Sequence, residues 1–293
     1  MKIKQLTSVL STLGLACGCF LATGQPAKAA TADINYGIDS PNDGYNDGVI
    51  GEDSSYEFYG MAIMEDGDNI VVALNANMSL AGVEAPAAED GIISWGDLFF
   101  NMSNDNFNTA SNNSSLYAIR FAQSNNSGAS TLGVYSNVTA QSVTSINSGF
   151  TSLSSYNTAV ENVGGTPSLA QFPADTPYFD QTAPVLNVIN TGTFVTGINM
   201  LSSTQLSGLG FDFAQFGTTG RETIGFSFDK RVLPAGDFIA NIFAECANDG
   251  MITAGRLEHS SEPVPEPLSI LGSIAGVGLI LRRQRSKRQQ ASS

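Results

Sequence analysis

The most concentrated set of potential metal ligands lies between Asp39 and Gly48, where the chain reads Asp-Ser-Pro-Asn-Asp-Gly-Tyr-Asn-Asp-Gly. Calcium takes about six to eight oxygen ligands, which carboxylates, side-chain amides and loop carbonyls supply. The segment is not an EF-hand, because Pro41 stands at its third position and Ile50 stands where the bidentate Glu belongs. Asp and Gly also form ordinary turns. The segment predicts a calcium site with four ligands from side chains: Asp39, Asn42, Asp43 and Asp47.

The sequence contains few of the residue combinations from which catalytic sites are commonly built. A Ser-His-Asp or Cys-His mechanism needs an imidazole held by its neighbours, but the single histidine, His259, lies in a short polar connector. Zinc sites draw on several Cys and His residues, and no phosphate loop, dinucleotide fingerprint or nucleophile elbow is found. Glycoside hydrolysis needs only two positioned carboxylates, yet residues 31–263 contain 26 acidic residues and offer no means of choosing a pair. We expect that the protein is not an enzyme, with a carboxylate-based glycoside hydrolase as one alternative.

The charge is distributed very unevenly along the chain. Residues 31–263 have five basic residues against 26 acidic ones, a net charge of −21, whereas residues 1–30 carry +3 and residues 264–293 carry +4. An acidic surface of this kind repels nucleic acid and anionic lipid and attracts cations. We therefore expect no nucleic-acid partner.

One aromatic and one sulfur-containing side chain within residues 31–263, Trp95 and Cys246, could also have a functional role. Trp95 could stack on a sugar, but its apolar neighbours, including Phe99 and Phe100, favour a place in the core. Cys246 is the only cysteine downstream of residue 30, so no disulfide can form within that part of the chain. It falls on an otherwise apolar strand face with Phe238 and Ile242, which predicts a buried, inert thiol.

Alternating hydrophobicity predicts the elements that position these residues. Residues 69–78 place Ile70, Val72 and Leu74 on one face and three Asn on the other, which indicates a half-buried strand. The Asp66-Gly67 pair before it predicts a hairpin with residues 56–64. Further strands are predicted in three segments: 116–123, 222–229 and 237–247.

The spacing of apolar residues changes from two to three or four in one segment of this part of the chain. Apolar residues at spacings of three and four predict a helix from Phe150 to Val160, ended by Gly164-Gly165. The sequence therefore predicts an all-β fold, a single jelly-roll-like β-sandwich with one or two short helices.

The N-terminus has the three parts of a secretory signal peptide. A basic start at Lys2 and Lys4 precedes a long uncharged stretch, and small residues, Ala27 and Ala29, stand three and one positions before the expected cut. We expect cleavage after Ala29, by signal peptidase.

The C-terminal tail has an equally definite order of parts. Pro265, Glu266 and Pro267 precede an uncharged run over residues 268–281, which is followed by Arg282-Arg283 and further basic residues. As a helix the run would span roughly 21 Å, against about 30 Å of membrane hydrocarbon. It therefore suits a temporary transmembrane stop, and the basic residues should stay cytoplasmic.

This tail resembles the PEP-CTERM sorting signal of Gram-negative bacteria. Pro265, Glu266 and Pro267 match its motif, and Arg282 and Arg283 match its basic end. The resemblance implies recognition by an exosortase, a membrane-embedded processing enzyme, with cleavage near the motif. The chain would then be released to the envelope or the extracellular matrix.

The middle of the chain is similar to the XDD group of exosortase-dependent surface proteins. Five segments carry this similarity: 56–63, 95–100, 133–140, 237–240 and 245–249. The similarity would cover most of residues 34–253 and implies a destination, without a known chemistry.

Together these features predict four parts: a signal peptide (1–29), an exported domain (30–255), a connector (256–264) and a sorting signal (265–288). The expected function is a non-enzymatic structural or adhesive role at the cell surface or in the matrix. A calcium-dependent carbohydrate-binding module is the first alternative. The expected partners are signal peptidase, exosortase and a matrix polysaccharide, with membrane contact only through the sorting helix.

We predict that the mature protein begins near Ala30 and lacks the Arg-rich end, because both terminal segments are read as sorting signals. The intact mass of protein recovered from the surface of the producing cell measures both ends at once. Recovery of residues 282–288 in the surface-exposed form would contradict the sorting interpretation.

Overall fold

The computed structural model describes residues 33–258, and the described chain is predominantly β. Its strands are listed here in chain order: β1 Asn35–Ile38, β2 Phe58–Asp66, β3 Asn69–Ala76, β4 Val83–Glu84, β5 Ile92–Ile93, β6 Leu98–Asn101, β7 Leu116–Arg120, β8 Gly133–Gln141, β9 Ser168–Leu169, β10 Phe172–Pro173, β11 Val188–Thr196, β12 Asn199–Leu201, β13 Glu222–Asp229, β14 Gly236–Phe243 and β15 Gly250–Leu257.

Three short α-helices interrupt the strands within the described residues, one more than the one or two predicted. They are α1 Phe107–Asn112, α2 Leu153–Asn162 and α3 Ser203–Gly208. The helix predicted at 150–160 corresponds to α2, which begins three residues later because the Ser152 side chain caps it. Single turns of 3-10 helix occur at Gly51–Asp53, Ala214–Phe216 and Lys230–Val232. No helix within residues 33–258 is long and apolar enough to cross a membrane.

The strands form two large antiparallel sheets and two small hairpins. The five-stranded sheet has the order β1-β2-β3-β13-β12, and the six-stranded sheet has the order β11-β8-β7-β6-β14-β15. The β2–β3 hairpin closes through Gly67 and Asp68, and Gly67 adopts the positive φ of 56° that a tight turn requires. The predicted hairpin and the predicted strand at 222–229 are therefore confirmed.

One apolar cluster contains side chains from both large sheets. The five-stranded sheet contributes residues such as Val72 and Phe228, and the six-stranded sheet contributes residues such as Phe100 and Ile242. Trp95 is fully buried there and stacks on Phe58 with ring centroids 4.4 Å apart. The prediction that Trp95 belongs to the core is confirmed.

The strand β3 is buried on both faces, so the prediction of a half-buried strand is wrong. Val71 and Ala73, on the face away from the shared cluster, pack against Leu206, Phe211 and Phe213. These residues lie in and after α3, far along the chain, and their segment covers the outer side of the five-stranded sheet. Alternation within residues 69–78 could not reveal this distant cover.

The C-terminal strands also differ slightly from their predicted bounds. The strand β14 ends at Phe243, and the chain turns through Ala247 at φ 52°, although Ala244 and Cys246 continue the predicted apolar face into the core. Cys246 is fully buried, as predicted, and burial raises the pKa of its thiol to about 12. Arg256 and Leu257, assigned above to the connector, are the last residues of β15.

We predict that Phe100→Ala lowers the free energy of unfolding by about 3–5 kcal/mol, because it removes a fully buried ring that contacts Phe238 and Phe228. Urea denaturation measures the change. The matched control is Phe194→Ala, since Phe194 is 48% exposed and contacts only the edge of the Tyr135 ring among described aromatic pairs. It should cost about 1 kcal/mol. Equal costs for the two variants would contradict a core centred on Phe100.

Candidate metal centre

Four buried carboxylates converge from separate parts of the described chain. Asp39 follows β1, Asp43 lies in the long loop between β1 and β2, Glu57 precedes β2, and Asp249 ends the turn between β14 and β15. Asp39 is 6% exposed and the other three are fully buried. We call Asp39, Asp43, Glu57 and Asp249 the acidic cluster.

The short strand β9 orients the two aspartates of the loop. Its Ser168 N–H donates to Asp43 Oδ2 at 2.7 Å, and the Ala170 N–H donates to Asp39 Oδ1 at 2.8 Å. The Ser40 N–H also donates to Asp39 Oδ1 at 3.0 Å, and the Ser168 hydroxyl contacts the same oxygen. One oxygen of each aspartate is thus held by the backbone.

Glu57 is also oriented by backbone N–H groups, which bind one of its carboxylate oxygens. Its Oε2 accepts hydrogen bonds from the N–H groups of Gly44 at 2.8 Å and Gly51 at 2.9 Å. Gly44 has to be a glycine here, because a Cβ at this position would lie 2.3 Å from the Glu57 Cα. The close approach of the two backbones brings the loop onto the start of β2.

Asp249 connects the cluster to the six-stranded sheet. Its Oδ2 accepts from the Phe58 N–H at 2.7 Å and its Oδ1 accepts from the Gly250 N–H at 2.7 Å. The Tyr156 hydroxyl, on α2, donates to the Asp43 carbonyl at 3.1 Å and lies 3.4 Å from Asp249 Oδ1. The segments around the cluster are therefore held in place by hydrogen bonds within the chain itself.

Three of the four carboxylates lie close together, and three carboxylate oxygens of the cluster have no hydrogen-bond partner within residues 33–258. One oxygen from each of Asp39, Asp43 and Asp249 lies within 4.8 Å of the others. Asp39 Oδ2, Asp43 Oδ1 and Glu57 Oε1 are buried and accept no hydrogen bond within the described chain. Such orphaned acceptors are rare in proteins, because each one loses its hydration without compensation.

Burial and mutual repulsion make the charged forms of these acids unfavourable. Burial raises the pKa of Asp39 to about 6 and the pKa of Glu57 to about 7. Burial, followed by the negative charges of neighbouring carboxylates, also raises the pKa of Asp43 and of Asp249 well above the usual range. A positive charge placed among them would remove both effects.

The basic residues of the described chain are all engaged outside the cluster. Lys230 pairs with Glu65 at 3.5 Å, Arg256 pairs with Asp237 at 2.8 Å, and Arg231 pairs with Asp229. Arg221 donates to the Glu52 carbonyl at 2.7 Å, and Arg120 donates to the Ala129 carbonyl at 2.8 Å. Within residues 33–258, no lysine or arginine is left to neutralise the cluster.

The structure places the four predicted calcium ligands in different environments. It brings Asp39 and Asp43 together and adds Glu57 and Asp249 to them. The Asn42 Oδ1 accepts instead from the Ser40 hydroxyl at 2.6 Å. Asp47 is exposed, and with Gly48 it forms a tight surface turn in which both residues have positive φ. His259 and the residues of both sorting signals lie outside the described range.

Sequence reasoning missed Glu57 and Asp249. The hydrogen bond that joins Asp249 to the start of β2 spans 191 residues, and no motif spacing connects such distant positions. The only local signal was the Asn248-Asp249-Gly250 turn sequence, which resembles many other turns in this chain.

The arrangement can hold a hard divalent cation. Its ligand atoms are all carboxylate oxygens, which become negatively charged when a cation displaces their protons, and its carboxylates are already oriented by backbone N–H groups. Zinc and other borderline metals favour imidazole and thiolate, neither of which is present in the cluster.

We predict that Gly44→Ala destabilises the protein by about 1–3 kcal/mol, because its Cβ would collide with the Glu57 backbone. Gly208→Ala is the matched control, since a Cβ there meets nothing within 4 Å and the residue is the last of α3. The control should be neutral or stabilising by up to about 1 kcal/mol. Urea denaturation compares the two, and a neutral Gly44→Ala would contradict the tight contact between the loop and Glu57.

Comparison of the chain with protein-family models, with curated proteins and with solved structures finds no match in any of the three. The functional argument therefore depends on the residues of this chain and on their geometry.

Proposed function

We propose that the chain is an exported, exosortase-processed protein of the cell surface or extracellular matrix, whose β domain has a non-enzymatic structural or adhesive role. The observation that carries the non-enzymatic part is the burial of the gathered acids. The acidic cluster is at most 6% exposed, so a polysaccharide or other polymer has no access to it. We infer that the buried acids affect the stability of the fold and do not contact an external ligand of that size.

The hydrolase alternative is disfavoured by the same burial. Glycoside hydrolysis requires two carboxylates that flank a substrate bond in an open cleft. A groove of about 680 Å³ does contain Asp105 and Asp237, but Asp237 is paired with Arg256 at 2.8 Å.

A carbohydrate-binding module is the second candidate, and the lining of that groove favours it. The groove presents the exposed polar residues Asn104, Asp105 and Asn106, and the bordering rings of Tyr178 and Phe238 are buried. Sugar sites use polar groups of this kind to orient the ligand. Binding of a matrix polysaccharide that Asn104→Ala weakens would select this candidate over a purely structural role.

The packing of the two large sheets supports a single β-sandwich. Both sheets contribute to one apolar cluster, and the Phe100 and Phe228 rings meet edge to face across it at 6.4 Å. Aligned packing of two antiparallel sheets produces this kind of shared interior. We infer a sandwich, and the predicted jelly-roll connection of its strands stays a prediction.

The export part of the proposal is supported by the sequence of both ends. The residues before Ala30 have the order of a signal peptide, and residues 265–288 have the order of a PEP-CTERM sorting signal. An acidic domain between two basic ends satisfies the positive-inside rule at both ends.

We predict that replacing Pro265, Glu266 and Pro267 together with Ala leaves the protein in the inner membrane, because the processing enzyme would no longer recognise the tail. Membrane fractionation and intact mass of the producing cells measure the outcome. The matched control replaces Ser260, Ser261 and Glu262 with Ala, which removes the same number of side chains and the same charge next to the motif. Normal release of the motif variant, or retention of the control, would contradict the proposal.

A further inference from the structure

The unpaired oxygens of the acidic cluster follow one pattern. Asp39, Asp43 and Glu57 each have one oxygen that accepts from backbone N–H groups and one buried oxygen that accepts nothing. The paired oxygen fixes the orientation of the carboxylate, and the other is left available. Three residues from one loop and its borders share this division.

The other buried carboxylates of residues 33–258 do not have this pattern. Asp97 Oδ1 accepts from Asn125 at 2.8 Å, and its Oδ2 accepts from Ser127 and from the Ile189 N–H. Both oxygens of Glu245 accept backbone N–H groups. Among the six buried carboxylates described, orphaned oxygens occur only in the acidic cluster. Burial of acids in this fold therefore does not by itself leave oxygens unpaired.

An uncompensated group of four buried carboxylates is energetically unfavourable. Each buried charge costs several kcal/mol of desolvation unless it is paired. The described lysines and arginines are engaged elsewhere, so compensation comes either from bound protons or from a cation that displaces them. A small cation satisfies the orphaned oxygens and the negative charge at the same time.

The ligand chemistry selects the cation. All available ligand atoms are oxygens, and neither imidazole nor thiolate lies in the cluster. Magnesium retains several waters and prefers one or two carboxylates, whereas calcium accepts a nearly dehydrated cage of many oxygens with flexible geometry. Three buried carboxylates with oxygens within 4.8 Å of one another, and a fourth beside them, match calcium better.

We propose that one calcium ion binds in the acidic cluster. Its ligands are Asp39, Asp43 and Asp249, whose oxygens lie within 4.8 Å of one another, and Glu57 lies beside them with its unpaired oxygen. The ion fastens the loop between β1 and β2 to the turn between β14 and β15. Asp249 takes the place of Asn42 and Asp47 in the ligand set expected from the loop sequence. The site is structural, since its carboxylates are closed to larger molecules.

The test uses the purified full-length chain, with melting followed in calcium chloride, magnesium chloride, sodium chloride of equal ionic strength, and chelator. Calcium at a hundredfold excess over its Kd should raise the melting temperature by about 5–10 °C relative to sodium chloride. Elemental analysis after gel filtration should find one calcium per chain. Equal effects of calcium and sodium chloride, an equal effect of magnesium, or no bound calcium would overturn the proposal.

Two variants place a nitrogen where an orphaned oxygen stands. In Asp43→Asn and Glu57→Gln the remaining carbonyl oxygen can keep the backbone hydrogen bonds, and the new NH₂ group can donate to the neighbouring orphaned oxygens. Asp43→Asn should lose the calcium-specific rise and Glu57→Gln should weaken it, and in chelator both should melt at or above the wild-type temperature, since one buried acid is gone. A merely structural role of these acids would lower the melting temperature in every buffer.

The matched control is Asp47→Asn, which removes the same charge from the same loop. Asp47 is exposed and has φ 49°, a conformation that Asn tolerates. It should keep the full calcium response and the bound calcium. Loss of the response in Asp47→Asn, or its retention in both cluster variants, would overturn the proposed ligand set. If neither cluster variant folds, the calcium content of the wild-type chain decides between one ion and none.

Discussion

The hydrogen bond from the Phe58 N–H to Asp249 Oδ2, 2.7 Å long, joins the two large sheets at one end. Phe58 is the first residue of β2 in the five-stranded sheet, and Asp249 immediately precedes β15 in the six-stranded sheet. The Tyr45 N–H adds a second link, since it donates to the Asn248 carbonyl at 2.9 Å. A bond of this kind is roughly twice as strong when its carboxylate is ionised, whereas burial and the neighbouring carboxylates raise the pKa of Asp249 well above the usual range. The full strength of the junction therefore depends on a positive charge that keeps Asp249 ionised, which in our proposal is the calcium ion.

This dependence explains why the surrounding loop is built so tightly. Three backbone N–H groups of the loop, those of Ser40, Gly44 and Gly51, donate to buried carboxylates. The absence of a side chain at Gly44 permits the close contact with Glu57. Residues 33–258 contain no second cysteine to brace the junction. Ordering a long loop costs conformational entropy. A loop that remains ordered therefore needs a compensating interaction. Hydrogen bonds to four neighbouring carboxylates provide little net stabilisation without a counter-ion.

The alternation of apolar and polar residues predicted those elements whose burial is determined by neighbouring positions in the sequence. The strand β13 has the predicted bounds because Ile224, Phe226 and Phe228 alternate with smaller residues. The second buried face of β3 and the cluster residues Glu57 and Asp249 were missed, because they are defined by contacts with segments far along the chain. The helices α1 and α3 have six residues each, too few for a hydrophobic period to stand out among so many Ser and Asn residues.

The ends of the domain fit the topology that the proposed function requires. The Asn35 side chain, at the start of β1, donates to the Ala254 carbonyl in the last strand at 2.8 Å, and Gly37 lies against Thr253. The first and last strands therefore begin and end side by side. In the proposed function both flanking segments start from the same face of the inner membrane, with the acidic domain on the other. A domain whose two ends emerge together can be held by both segments without distortion.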